Sequence, residues 1–178
     1  MKLEQQVVSL ELAKQLKELG VKQDSLFYWF NMEREKDYYD DGIGWHYNKV
    51  GWHVVGKDEI ERYKNDREID NSEFTPISHY RSAFTVAELG KMLPIEIADK
   101  NSDGLKRLFF FDTWKCNKGS LWRCAYSYYE NMGITNTRIE YLKGNDGGIQ
   151  AETEADARAS MCIWLIKNGY VKVEELNK

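Results

Sequence analysis

The chain has 178 residues, 42% hydrophobic and 13% aromatic, which supplies a core for one packed domain spanning 1–178 and excludes wholesale disorder. A formal net charge of −4 argues against non-specific nucleic-acid binding, which draws mainly on phosphate neutralisation. No apolar run is long enough to span a bilayer, the charge-interrupted start "MKLEQQVVSLELAKQL" does not read as a signal peptide, and three cysteines without metal-type spacing fit reduced thiols in a cytoplasm.

The first predicted element is a helix over "SLELAKQLKELGV". Ser9 stands where a hydroxyl can accept from an unpaired first-turn N–H. Leu12, Leu16 and Leu19 share one face, and Gly20 ends the helix so that Val21 folds back on Leu16. "SLFYWF", Ser25 to Phe30, follows as an aromatic strand expected to be central and buried on both faces. The acidic stretch "NMEREKDYYDDGIG" then reads as a solvated loop.

"GWHYNKVGWHVVG" repeats Gly-Trp-His seven residues apart. With Asn48 to Gly51 as a hairpin loop, Tyr47 faces Trp52, His46 faces His53, and Trp45 faces Val54. The aromatics then lie on one face and the imidazoles on the other, so strand pairing alone accounts for the repeat. A second register, turning at Asn48 and Lys49, pairs Trp45 with Trp52 and separates the histidines. Two functional readings stay open beside these. Paired imidazoles, joined by His79 or Asp41, have the chemistry of a metal site, although no metal or other cofactor is expected. Alternatively, the aromatic face stacks a nucleobase while His46, Arg81 or Lys115 reaches a phosphate.

Downstream, "DEIERYKN" has capping-box spacing at Asp58 and Glu61, which predicts a short helix. Residues 67–82 read as loop. "FTVAELGKMLP" predicts a helix of about two turns: Thr85 and Glu88 form a capping box, Phe84 and Leu89 a hydrophobic staple, and Pro94 a stop. Gly90 weakens that helix by roughly 1 kcal/mol relative to Ala, so packing must hold it.

"RLFFFDTWKCNKGSLWRCAYSYY" predicts a hairpin turning at Asn117 to Ser120. With Cys116 opposite Leu121, Trp114 faces Arg123 as a cation–π pair and Thr113 faces Cys124, a register that does not bring Cys116 and Cys124 together. Asp112 lies diagonal to Arg123. The other face, with Phe109, Phe111, Trp122, Tyr126 and Tyr128, is the core side. A further strand is expected in "TRIEYLKG", with "GNDGG" as a turn. The last helix, "TEADARASMCIWLIKNGY", is capped by Thr153 and carries a buried stripe of Ala157, Met161, Trp164 and Leu165. Gly169 ends it and Tyr170 returns onto Leu165. The sum is an α+β fold: a mostly antiparallel sheet with about three helices packed on it.

Catalytic signatures are missing from this sequence. There is no Walker motif, Gly-x-Gly-x-x-Gly, Gly-x-Ser-x-Gly or His-Glu-x-x-His. Asp112 with Glu130, or a cysteine with a histidine, are the remaining acid–base or nucleophile pairs, and no spacing favours them.

Together, "SLELAKQLKELGVKQDSLFYWF", "AFTVAELGKMLP" and "TEADARASMCIWLIKNGY" resemble a family of small proteins encoded by bacteriophages and prophages, many in Bacteroidota and Firmicutes. The resemblance covers the N-terminal helix and strand, the central helix and the C-terminal helix. It implies a phage gene product in the cytoplasm of a bacterial host and carries no functional residue with it, because the family has no assigned activity. In that context the expectation is a binding protein, leaning away from catalysis, that sequesters a nucleotide-like signal or covers a host protein, as a homo-oligomer if the site lies between subunits. The expected ligand residues are Trp45, His46, Trp52, His53, Arg81, Trp114, Lys115 and Arg123. A hydrolase on nucleotides or nucleic acid, and an accessory protein of phage replication or assembly, are the alternatives.

Overall fold

The structure, a computed structural model, describes residues 3–32, 51–61, 80–100, 106–116, 121–131, 137–142 and 148–177. After a 3-10 turn, Leu3–Gln5, come helix α1 (Leu10–Glu18) and strands β1 (Phe27–Met32), β2 (Gly51–Gly56) and β3 (Tyr80–Ser82). Helix α2 (Val86–Met92) leads to β4 (Glu96–Lys100), β5 (Lys106–Lys115), β6 (Trp122–Asn131), β7 (Thr137–Tyr141) and β8 (Ile149–Ala151). The chain closes with α3 (Glu154–Lys167) and a single turn, α4 (Val173–Leu176). This is the expected α+β fold, with three helices of seven residues or more among the described residues. All described strand pairs are antiparallel, but they form two sheets where one was expected. The smaller has the order β2-β1-β3; the larger runs β4-β5-β6-β7, with β8 also on β6.

The β5–β6 hairpin has the register that period-two alternation predicts. Trp114 is opposite Arg123, Thr113 is opposite Cys124, and the Cys116 N–H donates to the Leu121 carbonyl. The turn itself, Asn117 to Ser120, lies outside the described residues. Phe109 and Tyr126 on the inner face are fully buried, against Met161 and Leu165 of α3, Leu16 of α1 and Leu89 of α2. Each such side chain contributes about 1.5–3 kcal/mol of transfer free energy. The outer face is more open: Phe110 is 46% and Leu108 42% exposed.

β7 and β8 lie end to end on the edge of β6 away from β5. Tyr141 is opposite Ser127 and Ile149 is opposite Cys124, so the chain advances eight residues while β6 advances three. The two pairings are therefore offset by five residues along the edge, and Gly148, with φ +84°, precedes β8.

The helix ends follow capping chemistry closely. Gly20 N–H donates to Lys17 O and Val21 N–H to Leu16 O; Gly169 N–H and Tyr170 N–H repeat the pattern on Ile166 O and Leu165 O. Thr153 accepts from the Asp156 N–H as expected. Ser9 occupies the N-cap of α1, but its hydroxyl makes no cap bond. Its N–H instead donates to Asp156 Oδ1 at 2.7 Å, tying the starts of α1 and α3 together. A long-range carboxylate thus binds the N–H of the N-cap residue itself, the part that an acidic residue three positions on plays in a capping box.

The Thr85–Glu88 capping box forms, and Glu88 does more than close it. Its Oε2 accepts from Thr85 N, Thr85 Oγ1 and Ser25 Oγ, and its Oε1 from Leu26 N at 3.0 Å. One carboxylate thus joins α2 to the approach of β1. Glu88→Ala is expected to cost about 2–3 kcal/mol, seen as a lower urea midpoint, with Glu88→Gln in between. An unchanged midpoint for the alanine variant means that water replaces the carboxylate without cost.

Gly90 has a packing reason. A Cβ there would lie 2.8 Å from Arg158 Nη1, and Arg158 is held by Glu154 and sits 5.4 Å from the Phe111 ring centroid. The helix gives up propensity so that a guanidinium can lie against it.

Other expectations need correction. The aromatic strand starts at Phe27 rather than Ser25 and is central, yet only Tyr28 is fully buried; its neighbours are half-exposed because the small sheet lies at the margin of the main core. Gly51 belongs to β2, and β2 pairs with β1: Trp52 faces Asn31, His53 faces Phe30 and Val54 faces Trp29. The partners proposed for them, Trp45, His46 and Tyr47, lie outside the described residues. Residues 57–61 are helical, so Asp58 sits inside the first turn and does not cap it. Tyr80 to Ser82, read as loop, pair with β1. Trp164 is only partly buried and stacks on Tyr170, with centroids 5.3 Å apart; residues all round α3, from Ala155 to Leu165, are buried because helices and sheet enclose it.

Candidate functional site

α1 presents Lys14 and Lys17 three residues apart, hence on one side of the helix. The adjoining face of the small sheet carries Trp29, Trp52 and Arg81, since Trp29 is opposite Arg81 and Asn31 is opposite Trp52. The Trp29 indole N–H donates to the Val8 carbonyl at 2.8 Å, which anchors this sheet to the start of α1. Lys14 Nζ then lies 5.8 Å from the Trp52 ring centroid, and Arg81 Cζ lies 5.9 Å from the same ring. Lys17 Nζ is 5.7 Å from the Tyr80 ring, and Arg81 Nη1 donates to the Tyr80 carbonyl at 2.8 Å. Burial first, and then the positive charge of Arg81, hold the Lys17 ammonium below its usual range.

Two cations, Lys14 and Arg81, therefore gather on the Trp52 ring with Lys17 close to Arg81, while the Tyr80 ring that Lys17 reaches lies against Tyr28 in the second small core, on the other face of the sheet. Rings attract cations through their negative faces, which lets like charges gather at a tolerable cost. Such a group can also take an anion, with an aromatic portion of the same ligand stacking on an indole or phenol.

The expected ligand residues separate into groups. Trp52 and Arg81 converge here. His53, next to Trp52 in β2, points to the opposite side, opposite Phe30, in line with the second small core of Tyr28, Val55 and Ile60. Trp114 and Arg123 form their cation–π pair on the outer face of the larger sheet, 5.9 Å from guanidinium to ring centroid. Lys115 lies opposite Trp122 and so belongs to the other face of that sheet. Trp45 and His46 lie outside the described residues, as do His79 and Asp41 of the metal reading. Among the described residues no three His, Cys, Asp or Glu side chains come close enough to hold a metal ion. Asp112 accepts from Ser127 Oγ at 2.6 Å.

Lys14 and Lys17 were missed by the sequence reading. Their i, i+3 spacing was visible, but lysines on an amphipathic helix ordinarily face water, and the approach of Trp52 across a distant strand has no local signature. Among the described residues no helix is long and apolar enough to cross a membrane. Comparison of the chain with protein-family models, with curated proteins and with solved structures finds no match in any of the three.

Proposed function

We propose that the protein is a phage-encoded binding protein that captures a nucleotide-like anion at Lys14, Trp52 and Arg81, with Lys17 beside them, and so interferes with a process of its bacterial host, as a counter-defence protein would. The observation that carries this reading is the gathering of Lys14 and Arg81 on the Trp52 ring with Lys17 close to Arg81, the chemistry that meets phosphate and base together. The phage context rests on the resemblance of the three capped segments, and the host cytoplasm on the same ground. Capture between two copies of the chain belongs to the proposal, since small-ligand sites often form at subunit interfaces. A second reading, cover of a host protein, draws on the exposed Leu108 and Phe110 beside Trp114. The hydrolase alternative has no converging acid–base pair among the described residues to support it.

Calorimetric titration with a panel of cyclic and linear nucleotides is the test. A nucleotide is expected to bind, and Arg81→Ala to weaken it about tenfold or more while the thermal midpoint stays near that of the parent. Absence of heat with every nucleotide overturns the first reading. Capture of a host protein that Phe110→Asp abolishes then establishes the second.

A further inference from the structure

β4 is the last strand of the larger sheet, and among the described residues its far edge is unpaired. The register says what that edge offers. The Phe111 N–H donates to the Ile95 carbonyl at 3.0 Å, so Ile95 and Phe111 form a hydrogen-bonded pair. Antiparallel alternation then turns the backbone groups of Ile97 toward β5, and those of Glu96 and Ala98 outward. Two N–H and two C=O groups thus stand in a row.

A depression of about 540 Å³ runs beside that row. Pro94, Glu96, Ile97 and Ala98 line one side, and the turn Asn168–Val171 with Glu175 lines the other. An edge strand next to a helix end, with a trough between them, is the geometry in which an extended segment adds to a sheet. We infer that the β4 edge takes an extended peptide of a partner protein, one that carries basic residues at alternate positions.

The charges beside this edge choose that occupant. A strand laid along β4 sends alternate side chains to the two faces of the sheet. Those on the inner side enter the trough beside Tyr170, whose exposed lining is mostly polar and includes the Glu175 rim. Those on the outer side run past Glu96, which is exposed. Glu175, also exposed, stands on the far rim, and the C-terminal end of α3 points its partial negative charge to the same place. Ile95, 82% exposed at the head of β4, offers an apolar contact.

The test uses the full chain and two end-blocked fluorescent peptides, Lys-Val-Lys-Val-Lys and Glu-Val-Glu-Val-Glu, read by anisotropy. The basic peptide is expected to bind and the acidic one not to. The double reversal Glu96→Lys with Glu175→Lys is expected to weaken the basic peptide about tenfold and to favour the acidic one. A matched reversal on α1, Glu11→Lys with Glu18→Lys, is expected to leave the preference in place. Ala98→Pro removes one outward N–H and is expected to weaken binding similarly; if that variant does not fold, the charge reversals at exposed positions still decide. Three outcomes overturn the inference: no binding at millimolar peptide, a preference that both reversals change equally, or self-association of the parent chain that Glu96→Lys with Glu175→Lys abolishes, which would make a second copy the occupant.

Discussion

Gly148→Ala is expected to lower the stability of this protein by about 3 kcal/mol, or its thermal midpoint by roughly 6–12 °C. Two costs combine. The backbone at Gly148 has φ +84°, a conformation that a residue with a Cβ adopts only under strain. In addition, a Cβ built there would lie 2.6 Å from the Cys124 carbonyl oxygen and 2.9 Å from the Ala125 Cβ. Both neighbours belong to β6 at the centre of the larger sheet, so no side-chain rotation relieves the contact. Gly148 also stands just before β8, the short strand that leads to the N-cap of α3. Gly169→Ala supplies the control. It too has a positive φ, +73°, but nothing lies within 4 Å of its added Cβ. It is expected to cost only about 1 kcal/mol. Equal midpoints for the two variants would remove the steric half of the explanation.

The second large effect is a loss of stability in alkali. Burial pushes the Cys124 thiol up to about 11 and the Cys162 thiol up to about 12, from an ordinary value of 9.0. Burial also raises the Tyr126 phenol, whose O–H donates to the Pro94 carbonyl at 2.6 Å. All three stay protonated in the native protein above the pH at which they ionise in the unfolded chain. The unfolded state then holds fewer protons, so the stability of the native state falls with rising pH. The loss begins near pH 9 and grows to about 2 kcal/mol for each thiol by pH 11, where Cys124 itself begins to ionise. Urea midpoints measured from pH 7 upward are expected to hold steady and then drop. In Cys124→Ala with Cys162→Ala the drop is expected to lose most of its slope. If the double variant keeps the full slope, the thiols are not its source.

How far these features could be read from residues alone varies with their range along the chain. The β5–β6 hairpin was legible to the residue because its turn is short and its alternation long. Once Cys116 met Leu121, Trp114 had to meet Arg123 and Thr113 had to meet Cys124. The helix ends at Gly20, Thr85, Thr153 and Gly169 were legible because capping is contained within a few consecutive residues. Strands β3, β4 and β8 were not. They have three to five residues each, too few to show a period, and β4 carries three charges among its five positions. Such segments become strands because a neighbour presents a row of unpaired backbone groups.

The candidate site shows the same division. Trp52, Arg81, Trp114 and Arg123 were selected by residue type as things able to hold a partner. The sequence placed Trp114 against Arg123 because they share a hairpin. It did not place Lys14 over Trp52, because those residues meet across a helix–sheet contact. What the residues by themselves determined, then, is most of what is written within about ten positions: stops, hairpin register, which face of a strand is apolar, and caps other than those read at Ser9 and Asp58. Tertiary structure alone decided that the described strands form two sheets, which edge of β4 no described residue pairs with, that Ser9 is bound by Asp156, and which cations gather on Trp52. The physical reason is that local steric and hydrogen-bonding preferences act between near neighbours, whereas long-range contacts are selected by burial and by the partners left over once the local ones are made.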